Sequence, residues 1–95
     1  MKATEKANYD HVADRARGVC EHCGFRSAEQ MHHRKYRSRA SKAELNTPAN
    51  VTHLCRVCHE LAHTGEGAAL GLSVSSWASP SEVPMVTWRG LVFLE

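Results

Sequence analysis

Two CxxC units, Cys20-x2-Cys23 and Cys55-x2-Cys58, constrain this chain more than any other feature. Each unit presents two sulfurs from one tight turn, and two such turns make a tetrahedral zinc site. The 31 residues between the units exceed the roughly 15–20 of a simple zinc ribbon, so the intervening segment must loop out and return. A chain of 95 residues buries only a marginal core, and domains of this size often lean on a metal. Structural Zn²⁺ on Cys20, Cys23, Cys55 and Cys58 is therefore the first expectation. A dithiol redox pair is disfavoured, since neither CxxC lies in a βαβ context.

Cys55-x2-Cys58-His59 is also the string that attaches c-type haem. Haem would consume Cys55 and Cys58 and leave Cys20 and Cys23 without partners. It would also require export, and "MKATEKANYDHVADRARG" contains no apolar run of a signal peptide. No stretch approaches the ~20 apolar residues of a membrane span. A cytoplasmic protein with reduced thiols and no membrane contact is expected, where paired cysteines mean metal.

Four thiolates on one Zn²⁺ cancel the formal net charge of +2. Distribution says more than the total. Five of the twelve Lys and Arg residues, Arg34, Lys35, Arg37, Arg39 and Lys42, fall in one run without an acidic residue. Such a run is either a phosphate-facing stripe or a solvated loop.

Thr4 to Arg17 reads as a helix, with Thr4 as N-cap, an apolar face of Tyr9, Val12, Ala13 and Ala16, and Gly18 at C′. Ala28–Arg34 and Val51–Leu54 read as short strands, and Ser38–Asn50 as a loop. Arg56 to about Leu70 reads as a helix weakened by Gly65 and Gly67. Met85–Trp88 and Leu91–Leu94 flank Arg89-Gly90 as a β-hairpin. Trp77, Val86, Trp88, Val92 and Phe93 are expected to pack into a core.

The histidines add a second chemistry. On a helix, Cys58 and His59 diverge by about 100°, whereas His59 and His63 share a face. Cys58 can turn to the zinc while His59 and His63 chelate another ion. His32 and His33 lie between the CxxC units and can supply a third donor. In an extended segment the two point to opposite sides, so one can bind metal while the other acts as general base. His11, His22 and His53 have no spacing that singles them out, and His22 is expected to be exposed. Tyr36 is read as packing rather than touching a sugar.

"C-EH-C-G", "HHR" and "PAN-V-THLC-RV-CH-ELA-H" together resemble the HNH (ββα-metal, His-Me finger) endonuclease family in its zinc-stapled, bacteriophage form. The resemblance covers about Arg17 to His63. The tail "SPSEVP" and its terminal Trp hairpin are also similar to small phage-encoded members. The resemblance implies an α+β fold: a zinc-stabilised, treble-clef-like ββα-metal domain with an N-terminal helix and a C-terminal hairpin. One domain over 1–95 is expected, with its motif core at 17–63 and an extension at 72–95.

By the same resemblance, His32 is a metal ligand, His33 the general base, and Asn50 the residue that holds the base-bearing loop. His59 is the next ligand. His63 sits where some members, the colicin nucleases among them, carry a further one. His32 stands where many members have Asp, which makes the site richer in nitrogen and more tolerant of transition metals. The expected cofactors are structural Zn²⁺ and one catalytic divalent ion (Mg²⁺, Mn²⁺, Ni²⁺ or Zn²⁺). Arg34, Lys35, Arg37 and Arg39 are the expected phosphate contacts, giving position without sequence specificity. The implied function is a metal-dependent nuclease that cuts or nicks DNA, working beside a phage packaging terminase; one small site with no coiled coil leads to the expectation of a monomer. Two rivals stand: a non-catalytic zinc-stabilised DNA-binding module, and a zinc-stabilised adaptor whose Trp77, Trp88 and Phe93 are exposed for a partner.

Overall fold

The run Val51–Leu54, which opens on β-branched Val51 and Thr52, forms a strand over the expected four residues. In the computed structural model, which describes residues 3–95, it pairs antiparallel with Gln30–His33. In chain order the elements are α1 (Ala3–Ala16), β1 (Gln30–His33), α2 (Lys42–Leu45), β2 (Val51–Leu54), α3 (Arg56–Ala62) and α4 (Glu66–Ala69). A 3-10 turn (Pro80–Glu82) and a hairpin of β3 (Met85–Thr87) and β4 (Gly90–Val92) follow. β1, β2 and α3 form a ββα unit within a small α+β fold, in agreement with the expected class.

The chain between β1 and β2 is less irregular than expected. Ser41 caps the short helix α2, accepting from the Glu44 amide and donating to the Glu44 carboxylate. This reciprocal capping box stands inside the segment expected to be a loop. At α1, Thr4 lies within the helix rather than capping it, and Arg17 as well as Gly18 takes positive φ at its end. The expected Arg56–Leu70 helix is two helices. It breaks after Ala62, and Gly67 then packs against the Ala62 carbonyl so closely that a Cβ would meet that oxygen at 2.3 Å. No helix among the described residues is long and apolar enough to cross a membrane.

The main core gathers Cys20, Leu54, Cys55, Cys58, Ala62, Leu72, Met85 and Leu94. The expectation of a core built on the tail aromatics is overturned. Trp77 is 89% exposed, Phe93 56% and Trp88 55%, while Val86 and Val92 are half-buried. A two-stranded hairpin has only one covered face: Met85 turns inward with its cross-strand partner Val92, which leaves Leu91 and Phe93 outward. Trp88 lies at the turn, against Gly24.

Arg34 is the largest fully buried side chain among the described residues. Its Nε donates to Gly71 O at 2.8 Å, its Nη1 to Ala49 O at 2.8 Å and Pro80 O at 3.2 Å, and its Nη2 to Val83 O. Burial lowers its pKa to about 10, so the guanidinium remains charged at neutral pH. Its own carbonyl accepts from the Val74 amide at 2.8 Å. One residue after His33 thus staples the C-terminal segment to the ββα unit.

Arg34→Met strips donors from four carbonyls, two buried and two partly buried, and a buried one costs about 1–3 kcal/mol when unpaired. A loss of at least about 3 kcal/mol in urea unfolding is expected. Arg34→Lys keeps the charge without the planar fork and restores less than half of that loss.

Candidate metal centres

The first centre is made by two turns. Cys20 and Cys23 lie on a knuckle closed by the Val19–Ser27 bridge, with Gly24 N–H donating to Cys20 O at 3.0 Å. Cys55 follows β2 and caps α3, its sulfur accepting from the Cys58 amide at 3.4 Å. The four sulfurs lie within 4.8 Å of one another, and all four cysteines are free of disulfides. A tetrahedral zinc site with Zn–S of about 2.3 Å needs sulfurs about 3.8 Å apart. Cys23 and Cys55 sulfurs stand 4.0 Å apart. The four cysteines therefore fit a structural zinc site.

Burial pushes the Cys20 and Cys58 thiols up. It acts on Cys23 too, but amide hydrogen bonds from Phe25 and Arg26 outweigh it and hold that thiol at about 7. Glu21 fixes the knuckle from outside: Arg15 of α1 binds both its oxygens, at 2.8 and 3.0 Å, and Glu21 Oε1 accepts from the His53 amide.

The second centre uses the other side of the same helix. His32, on β1, is buried beside His59 and His63, with ring centroids 5.1 and 5.6 Å away. One nitrogen from each of the three lies within 4.8 Å of the others. His59 Nε2 and His63 Nε2 are 3.4 Å apart, close to the ~3.3 Å edge of a tetrahedral site with metal–nitrogen bonds of about 2.05 Å. His32 Nε2–H donates to Leu72 O at 2.7 Å, which leaves Nδ1 with the free lone pair. Burial is the main reason the His32 pKa falls to about 4; burial, then His63, lowers that of His59. Both are neutral at pH 7, the form that coordinates metal. His63 caps α3 and is exposed, so the centre opens to solvent on its side. The donor set and spacing fit a divalent ion with an open position, the arrangement of a catalytic site rather than a structural one.

His33 faces away from His32, as strand alternation requires. Its Nε2–H is held by Asn46 Oδ1 at 2.8 Å and lies 3.3 Å from the Tyr9 hydroxyl, which itself donates to Asn46 Oδ1 at 2.8 Å. Nδ1 is then the unprotonated nitrogen. Asn50 is fully buried. Its Oδ1 accepts from the Lys35 amide at 2.8 Å, and its Nδ2 donates to Lys35 O and Leu45 O. It pins the chain just after His33 and touches no open surface.

The expected phosphate stripe is overturned at two of its four residues. Arg34 is sealed among carbonyls, and Lys35 is buried against Glu44 and Ala78 O. A charge run signals exposure only when the backbone turns every side chain outward, and here strand β1 delivers Arg34 into the core. Arg37 and Arg39 are exposed, as is Lys42. His22, expected to be exposed, is half-buried and donates from Nδ1 to Val86 O at 2.7 Å.

Four contributors to the site were missed by sequence reasoning or given another role. Leu72 acts through its carbonyl, which any residue carries. Asn46 and Tyr9 reach His33 from distant parts of the chain. Tyr36, expected only to pack, meets His63 Nδ1 at 3.0 Å.

Residues 20–65 match the family model described as HNH endonuclease. No curated protein and no solved structure matches the chain.

Cys55→Ser is expected to abolish cooperative melting, followed by circular dichroism. Zinc binding contributes on the order of 10 kcal/mol, comparable to the whole 5–15 kcal/mol stability of a domain. His63→Ala, at an exposed C-cap, should keep the wild-type melting curve and one tightly bound zinc.

Proposed function

Because the segment 20–65 matches the HNH endonuclease family model, we propose that this protein is a metal-dependent DNA endonuclease of low sequence specificity. The observation that carries the proposal is the cluster of His32, His59 and His63, with His33 next to His32 along β1. A pure binding module needs no such cluster. Bound to those three imidazoles, a divalent ion supplies Lewis-acid stabilisation of the charge that develops on phosphate and leaving oxygen.

The rest falls to the chain. His33 Nδ1 takes the proton of the attacking water. Its Nε2–H, held by Asn46 with Tyr9 beside it, fixes the tautomer and orients the ring, as a general base requires. Asn50 keeps the loop after His33 in place and acts by positioning alone. Arg37 and Arg39 hold flanking phosphates, which fixes the duplex without reading bases. Arg34 and Lys35 have no part in this contact, being buried. Among the described residues no element dedicated to base readout is apparent, which supports low specificity.

The adaptor reading has one observation in its favour, the exposure of Trp77, Trp88 and Phe93. It is compatible with catalysis elsewhere on the chain. The resemblance to small phage-encoded members of the family suggests that this protein works beside a packaging terminase.

With supercoiled plasmid and Mg²⁺, Mn²⁺, Ni²⁺ or Zn²⁺, the wild type is expected to nick or linearise, and EDTA to stop it. His33→Ala should lower the rate by about 10²–10⁴-fold while retaining fold and DNA binding. Cleavage at the wild-type rate would remove His33 as the base. Wild type that binds DNA but cleaves with none of these metals would leave a binding module.

A further inference from the structure

The three histidines are not held equally. His32 is buried and locked by Leu72 O. His59 lies within α3. His63 stands beyond the last helical residue, exposed, on a cap whose φ and ψ are −90° and 2°. An exposed imidazole at such a place has free rotamers and two possible ligand nitrogens. Two contacts restrain its ring: His59 Nε2 at 3.4 Å and Tyr36.

We propose that Tyr36 is a positioning residue for the three-histidine centre, accepting the Nδ1–H of His63 so that Nε2 is the nitrogen presented to metal. The phenol oxygen lies 3.0 Å from His63 Nδ1. The two rings also stack, with centroids 5.8 Å apart and planes 19° from parallel. Stack and hydrogen bond together fix both ring angles of a side chain that its own helix leaves free. Nε2 is the nitrogen that faces His59, so with Nδ1–H donated to Tyr36 the lone pair of Nε2 points at the cluster. The inference rests on the three histidines being a metal site.

The same residue organises the exposed cations. Tyr36 O accepts from the Arg39 and Ala40 amides, each at 2.8 Å. The turn carrying Arg37 and Arg39 therefore hangs from the residue that pins His63. Phosphates held by that turn are kept in register with the metal centre through Tyr36.

The test uses the full chain loaded with one equivalent of Zn²⁺, which fills the four cysteines. A second equivalent is titrated calorimetrically into wild type and Tyr36→Phe, which keeps the ring and removes the hydroxyl. The second equivalent should bind about 10–100-fold more weakly in the variant, the usual effect of losing a group that orients a ligand. The melting curve and the first equivalent should not change. In ¹H–¹⁵N spectra of the imidazoles, the His63 Nδ1–H should be slowed in exchange in wild type and fast in Tyr36→Phe. Equal affinity with equal exchange would overturn the role of Tyr36 and leave the metal site standing. A wild type that takes no second equivalent would overturn both.

Discussion

The four-sulfur cluster is the constraint on which the other contacts depend. Among the described residues only thirteen apolar side chains are buried, and Cys20, Cys55 and Cys58 are three of them. A core so small does not hold β2, α3 and the knuckle together by area alone. The sulfurs do it by chemistry, and they do more than add stability. Cys55 caps α3 and Cys58 lies one turn inside it, so the cluster sets the rotation of that helix about its axis. Once that rotation is set, His59 and His63 can point only toward β1, where His32 waits. The structural centre thereby aims the catalytic one.

The second dependence runs through the C-terminal segment. Leu72 O orients His32, and the carbonyls of Gly71, Pro80 and Val83 close around Arg34. All four residues lie beyond the matched segment 20–65. The motif supplies the ligands and the base, but its buried guanidinium has no carboxylate partner among the described residues and is satisfied by peptide carbonyls, three of the four from outside the motif. Removing that segment would leave a charge in a low-dielectric interior with too few acceptors, which costs several kcal/mol.

What was legible in the sequence was whatever spacing dictates. CxxC spacing gave the sulfur cluster, the i, i+4 rule paired His59 with His63, and strand alternation separated His32 from His33. The roles of His33 and Asn50 came from family resemblance, and their hydrogen bonds are compatible with them. What spacing does not encode was misread. Arg34 and Lys35 sit in a basic run that looks solvated, because peptide carbonyls that neutralise a buried cation leave no trace in composition. Trp88 and Phe93 sit at strand spacing that looks half-buried, yet a two-stranded hairpin offers one covered face and nothing among the described residues lies over the other. Helix α2 was hidden because its four residues are too few for any periodicity to show, although the Ser41–Glu44 capping box was there to be read.

The burial of Arg34 and Lys35 also changes how the proposed enzyme meets DNA. Of the basic run, Arg37, Arg39 and Lys42 alone are exposed, so under the proposed function it would offer three cations to phosphate rather than five. Each neutralised phosphate contributes about 0.9 to the slope of binding against salt, so the footprint of this run is weak and strongly screened at physiological ionic strength. A nuclease with so little phosphate grip gains residence on DNA from the metal–phosphate contact itself or from a partner that holds the duplex. The exposed aromatic hairpin is a surface suited to the second, and the turn hung from Tyr36 places the remaining arginines beside the first. Under the proposed function, the weak phosphate grip of this run and the need for a second contact to the duplex have one cause: the arginine that the run seemed to offer to DNA is spent holding the fold.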